Sequence, residues 1–171
     1  MNLSDITALA TKPVAAISAK PLAVFASVMN TPIKTRPIYL QTVVDALTGY
    51  TLEDAVAGKV VVITGAGSGM GRDIAVKLAR RGARLAISDV TPDGLAVTEK
   101  LVTEAGAEVH SQLLNVAERE AVLTYADTVA EHFGVVNVVF NNAGIAHHGE
   151  IERTEFKDIE RVMDVDYWGV V

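Results

Sequence analysis

The chain has 171 residues and a mass of 18.1 kDa, room for one domain of ordinary size plus a short extension. Half of the residues are hydrophobic and 21% are charged, which excludes a disordered charged tail, and the net charge of -6 argues against nucleic acid as a partner. The absence of cysteine excludes disulfide frameworks, thiolate zinc sites and cysteine nucleophiles, and fits the reducing, cytoplasmic setting expected here.

Charge divides the chain near residue 50. Residues 1–50 carry Lys12, Lys20, Lys34 and Arg36 against Asp5 and Asp45, a net of +2, which leaves 11 basic and 19 acidic groups, a net of -8, for residues 51–171. Four of the five prolines, at positions 13, 21, 32 and 37, also fall in the first stretch. They break any long helix, so residues 1–50 read as a partly irregular extension ahead of a domain over residues 51–171. The uncharged run from Pro21 to Ile33 spans 13 residues, too short to cross roughly 30 Å of hydrocarbon, so no transmembrane segment is expected. Scattered charges at Asp5, Lys12 and Lys20 are a poor fit to a secretory signal, while a transit peptide and an interfacial or subunit-contacting arm stay open. Tyr39 to Leu47 suggests a short amphipathic helix within the extension.

From residue 59 strands and helices alternate. Lys59 to Thr64 is a β-branched apolar run of the kind buried on both faces in a parallel sheet. A glycine turn follows, then a helix over residues 70–81 stopped by Gly82. Leu85 to Ser88 is the second strand; Thr91, Pro92 and Asp93 supply a cap, a first-turn proline and a first-turn acid for a helix to about Ala105. Val109 to Leu114 is the third strand, Glu118 to Phe133 a helix ended by Gly134, Val135 to Phe140 the fourth strand, and the last helix starts near Glu155 and runs to the end. This alternation predicts an α/β fold, a doubly wound parallel sheet with helices on both faces.

The turn after the first strand reads Thr64-Gly65-Ala66-Gly67-Ser68-Gly69-Met70-Gly71. Glycines between a buried strand and a helix start let the backbone approach a pyrophosphate, whose charge is met by free N–H groups and the helix dipole. The spacing fits TGxxxGxG and fails GxGxxG, and no Gly-Lys-Ser or Gly-Lys-Thr follows, so a P-loop is excluded. Asp89 closes the second strand, where a carboxylate can accept hydrogen bonds from the adenosine ribose hydroxyls and would repel a 2′-phosphate. NAD is therefore favoured over NADP. The neighbouring His147 and His148 read as a solvated loop, no metal site is expected, and Glu118, Glu120 and Glu131 read as the solvated side of a helix.

Thr64 to Gly71, Asp89, Asn141-Asn142-Ala143-Gly144 and Asp166-Tyr167-Trp168-Gly169 together resemble the short-chain dehydrogenase/reductase family in its NAD-preferring branch, over residues 59–171. The resemblance implies a Rossmann sheet of strand order 3-2-1-4, and an oxidoreductase exchanging an alcohol for a ketone by hydride transfer to nicotinamide. It implies that Gly65, Ser68, Gly69, Met70 and Gly71 line the pyrophosphate and adenosine ribose, and that Asn142, Ala143 and Gly144 support the sheet and the cofactor's ribose. Asn115 stands where the family usually has an aspartate facing the adenine, with the backbone of Val116 beside the ring; Asp166 stands at the family's catalytic asparagine and lacks its donor.

The family's serine and Tyr-x-x-x-Lys pair lie beyond the last helix. Here the residues four after Tyr39, Tyr50, Tyr125 and Tyr167 are Val43, Asp54, Val129 and Val171. The chain therefore reads as the cofactor-binding N-terminal part of such an enzyme, truncated after the fourth βα unit, with a non-catalytic dinucleotide-binding or subunit-interaction module as the alternative. Such a part would leave Val135 to Phe140 as an unpaired edge. It would also expose Phe156, Ile159, Val162, Met163, Trp168 and Val170, a stripe the family commonly uses for subunit packing, so a homo-oligomer is expected of the complete form.

Overall fold

Four short parallel strands form one sheet in a computed structural model that describes residues 51–171. They are β1 (Val60–Thr64), β2 (Arg84–Asp89), β3 (Val109–Leu113) and β4 (Val138–Phe140), in the order β3-β2-β1-β4. The extension over residues 1–50, including the amphipathic segment expected at 39–47, lies outside the described residues. A short helix, α1 (Leu52–Val56), precedes β1. Residues Leu52–Val171 make one compact unit.

Strand β1 is β-branched because both its faces are covered. Every residue of β1 is buried, and alternate side chains enter different cores. Val61 and Ile63, with Leu85 and Ile87 of β2, meet α2 (Gly69–Ala79) and α3 (Pro92–Glu104) through Ala75, Leu78, Leu95 and Val102. Val60, Val62 and Ala86 meet α4 (Arg119–Phe133) through Tyr125, Val129 and Phe133. Full burial of each large apolar side chain contributes about 1.5–3 kcal/mol, so the two cores hold the strand order firmly. Helix α4 ends at Gly134, whose φ of 76° lets its N–H close on the Ala130 carbonyl at 2.8 Å.

The elements differ from the sequence expectation in several places, among them α2, which ends at Ala79 rather than at residue 81. Strand β4 begins at Val138 rather than Val135, because the Asn137 side chain takes over the preceding rung: its Oδ1 accepts the Val60 N–H at 2.9 Å. The third strand stops at Leu113, and Leu114 turns into the core. Thr91 holds the position ahead of α3, yet its hydroxyl caps nothing; the Asp89 carboxylate instead accepts the Thr91 N–H at 2.8 Å. The last helix does not run to the end: α5 (Phe156–Met163) opens into a π-helical turn, Asp164–Trp168.

Strand β4 pairs only with β1 among the described residues, and Val138, Val139 and Phe140 are exposed. Phe156, Ile159, Met163 and Trp168 on the last helical segment are exposed too. No helix among the described residues is long and apolar enough to cross a membrane.

Candidate functional site

The carboxyl ends of parallel strands point one way, and here they open on a cleft of about 560 Å³, within the range of cofactor sites. Its floor is the glycine turn between β1 and α2. Gly65 adopts φ of 65°, and a Cβ on it would stand 2.7 Å from the Ala143 Cα, so the turn can lie flat on the segment after β4 only without a side chain. A Cβ on Gly71 would collide with the Gly65 carbonyl and come within 2.6 Å of the Asn142 amide, which lets α2 begin directly behind the strand.

Thr64, at the end of β1, ties the two segments together. Its hydroxyl oxygen accepts the N–H groups of Asn142 and Ala143, both at 3.1 Å. The Asn142 side-chain amide donates to the carbonyls of Thr64 at 3.0 Å and Gly65 at 3.1 Å. Thr64 has no assigned role in the sequence reading, since a threonine closing an apolar run is ordinary in a strand; the signal is its place opposite a second turn, which only the fold reveals.

Asp89 ends β2 on one wall of the cleft. Its Oδ2 accepts the Gly67 N–H at 2.7 Å and its Oδ1 accepts the Thr91 N–H at 2.8 Å. A Cβ on Gly67 would reach 2.6 Å from the Asp89 Cγ, so glycine at 67 is what lets the carboxylate sit over the turn. Each oxygen retains acceptor capacity towards the cleft.

The remaining predicted positions gather around the same space. Gly65, Ser68, Gly69, Met70, Asp89, Asn115, Val116, Asn142, Ala143 and Gly144 all line the cleft, whereas Gly71 lies behind the turn and Asp166 behind Gly144. Asn115 is already engaged: its Oδ1 accepts the Ala117 N–H at 3.2 Å and its amide donates to Glu118 at 3.0 Å. Asp166 Oδ1 accepts the Ile145 N–H at 2.9 Å, so the widened turn of the last helix is fastened to the segment after β4. Arg161 and Asp164 also face the cleft and were not foreseen.

Tyr125 is not part of this site. It lines a separate apolar cavity of about 220 Å³ with Val62, Val129 and Val139, divided from the cleft by Leu114 and Val116. Burial pushes its hydroxyl up to about 12, with the Ser88 hydroxyl opposing the shift, and neither hydroxyl has a well-formed hydrogen bond. His147 and His148 are exposed in the loop after β4.

The family model described as short chain dehydrogenase matches residues 59–171. The chain belongs to the short-chain dehydrogenase family. SadH of Mycobacterium tuberculosis, named as an oxidoreductase, is 60% identical over 114 residues, covering 67% of this chain and 41% of that protein. The uncharacterized oxidoreductase Rv1543 of the same species is 34% identical over 179 residues and covers 100% of this chain and 50% of its own length, so its match includes the first fifty residues. The chain thus spans half or less of the length of these relatives. A short-chain dehydrogenase/reductase from Burkholderia phymatum, solved in complex with NAD, superposes with a TM-score of 0.65 at 41% identity over 67% of this chain and 41% of that one. The parallel sheet and its flanking helices are therefore the Rossmann-type fold of this family.

Proposed function

We propose that this chain carries the dinucleotide-binding part of an NAD-dependent oxidoreductase that interconverts a secondary alcohol and a ketone. The observation that carries the reading is the Asp89 carboxylate, fixed over the glycine turn by two backbone donors. A carboxylate there accepts bonds from the two ribose hydroxyls of NAD and repels the 2′-phosphate of NADP. The residues fit the cofactor in shape as well: Gly65 and Gly69 line the cleft at the start of α2, and open space lies where a Cβ on Gly69 would stand, leaving the backbone bare for a pyrophosphate. The NAD bound by the Burkholderia dehydrogenase supports the same reading.

Nicotinamide supplies acceptance or donation of a hydride. The chain's residues bind and orient it: Asn142 and Thr64 fix the backbone of Ala143 and Gly144 along the cleft, and Asn115 and Val116 close the adenine end. The accompanying proton has no donor in Tyr125, which Leu114 and Val116 wall off from the cleft; in the family a Tyr-x-x-x-Lys pair moves it. The exposed apolar side chains of α5 and the turn after it support burial against a second copy in the whole protein.

Fluorescence titration with NADH and NADPH tests the cofactor reading. Tighter binding of NADH is expected; binding of neither, or tighter binding of NADPH, overturns it.

A further inference from the structure

Behind the glycine turn, away from the cleft, a buried hydroxyl and a cation hold the backbone that in turn holds Asp89. Thr98 lies in the middle of α3 with its side chain 0% exposed, an expensive place for a polar group unless it is bonded. Its hydroxyl donates to the Ala66 carbonyl at 2.8 Å, and the Gly94 carbonyl stands at 3.2 Å. Arg72, on the first turn of α2, donates from Nε to the Thr98 oxygen at 2.9 Å and from a terminal nitrogen to the carbonyls of Gly67 and Gly94. Because Arg72 occupies the Thr98 oxygen as a donor, the hydroxyl proton is directed to a carbonyl.

The Ala66 carbonyl and the Gly67 N–H belong to one planar peptide group. Thr98 holds its oxygen end, and the Asp89 carboxylate accepts from its nitrogen end at 2.7 Å. The adjoining peptide is held by Arg72 through the Gly67 carbonyl. Helix α3 is pressed against this spot: a Cβ on Gly94 would lie 2.7 Å from the Gly67 carbonyl oxygen. A line of bonds therefore runs from Arg72 through Thr98 and the 66–67 peptide to the carboxylate that faces the ribose.

We propose that Thr98 and Arg72 are positioning residues that set the cofactor preference of this chain through the orientation of Asp89. The proposal rests on the NAD reading above. Neither side chain lines the cleft; each acts on it only through backbone. With the 66–67 peptide free to turn, Asp89 loses one of its two donors, the ribose loses a fixed acceptor, and a 2′-phosphate meets a carboxylate that can swing aside.

Thr98→Val removes the hydroxyl at nearly constant volume, Thr98→Ser keeps it, and Arg72→Lys keeps the charge while losing the fork. In the complete protein, Thr98→Val and Arg72→Lys are each expected to weaken NADH binding about tenfold and NADPH binding less, narrowing the preference, and Thr98→Ser to restore it. In an Asp89→Ala background Thr98→Val should leave the NADH-to-NADPH ratio where Asp89→Ala alone puts it. A ratio unchanged by Thr98→Val and Arg72→Lys overturns the proposal, even if both variants melt at lower temperature, because that pattern marks a role in stability alone. A wild-type protein that binds neither nucleotide brings down the cofactor reading itself, and the proposal with it.

Discussion

Asp89 and Thr64 show how single side chains set the site. On the proposed NAD reading, replacing Asp89 by alanine would remove the acceptor for the ribose and the repulsion towards a phosphate, so the NADH-to-NADPH preference should fall by about tenfold or more in paired titrations. Thr64→Val keeps the shape of a buried strand residue and deletes the oxygen that accepts from Asn142 and Ala143; with two N–H groups left unmet, urea unfolding should show a loss of about 2 kcal/mol or more. The place of the glycines at the turn and of Asp89 beside it was legible in the sequence because the pattern is local, a strand end followed by a glycine-rich turn. The roles of Thr64 and Thr98 were not, since their partners lie 78 and 32 residues away and no local pattern announces them. Asp166 was read by its lack of a donor, and the structure finds its acceptor in use on Ile145.

The helices and strands were legible in kind and less so in extent. Two-sided burial makes a short β-branched run distinctive, and β1 and β2 lie within a residue of their expected limits. Val135 and Val136 are as apolar as the strand they precede, so hydrophobicity could not separate connector from strand; the side chain of Asn137, bonded to the Val60 N–H, draws that line. The π-helical turn at Asp164–Trp168 has no sequence signature. Gly134 was read correctly as the stop of α4, and its φ of 76° supplies the test: Gly134→Ala should destabilise by about 1 kcal/mol in denaturant melts with little effect on nucleotide binding, since the residue is remote from the cleft.

For the molecule as a whole, stability should carry the mark of one buried phenol. Tyr125 is held protonated in the fold up to about 12, against an ordinary value of 10.0 in the unfolded chain. The native state thus binds this proton more tightly than the unfolded state. The associated stability is fully present below about pH 10 and is lost as pH rises to about 12, an effect of about 2–3 kcal/mol. Tyr125→Phe deletes a hydroxyl without a well-formed partner, so it should leave stability at neutral pH nearly unchanged and flatten the alkaline loss, read as the urea midpoint against pH.

The closeness of Gly67 to Asp89 also bears on how chains of this kind can diverge. Gly67 has no positive φ, so its backbone would accept alanine; what bars one is the carboxylate, 2.6 Å from where the Cβ would stand. The two positions are therefore bound as a pair. A lineage that keeps the acid must keep the glycine, and one that trades the acid for a smaller residue opens the turn to change on that side. The acid and the spelling of the turn would then drift together, leaving a correlated pair 22 positions apart in the chain.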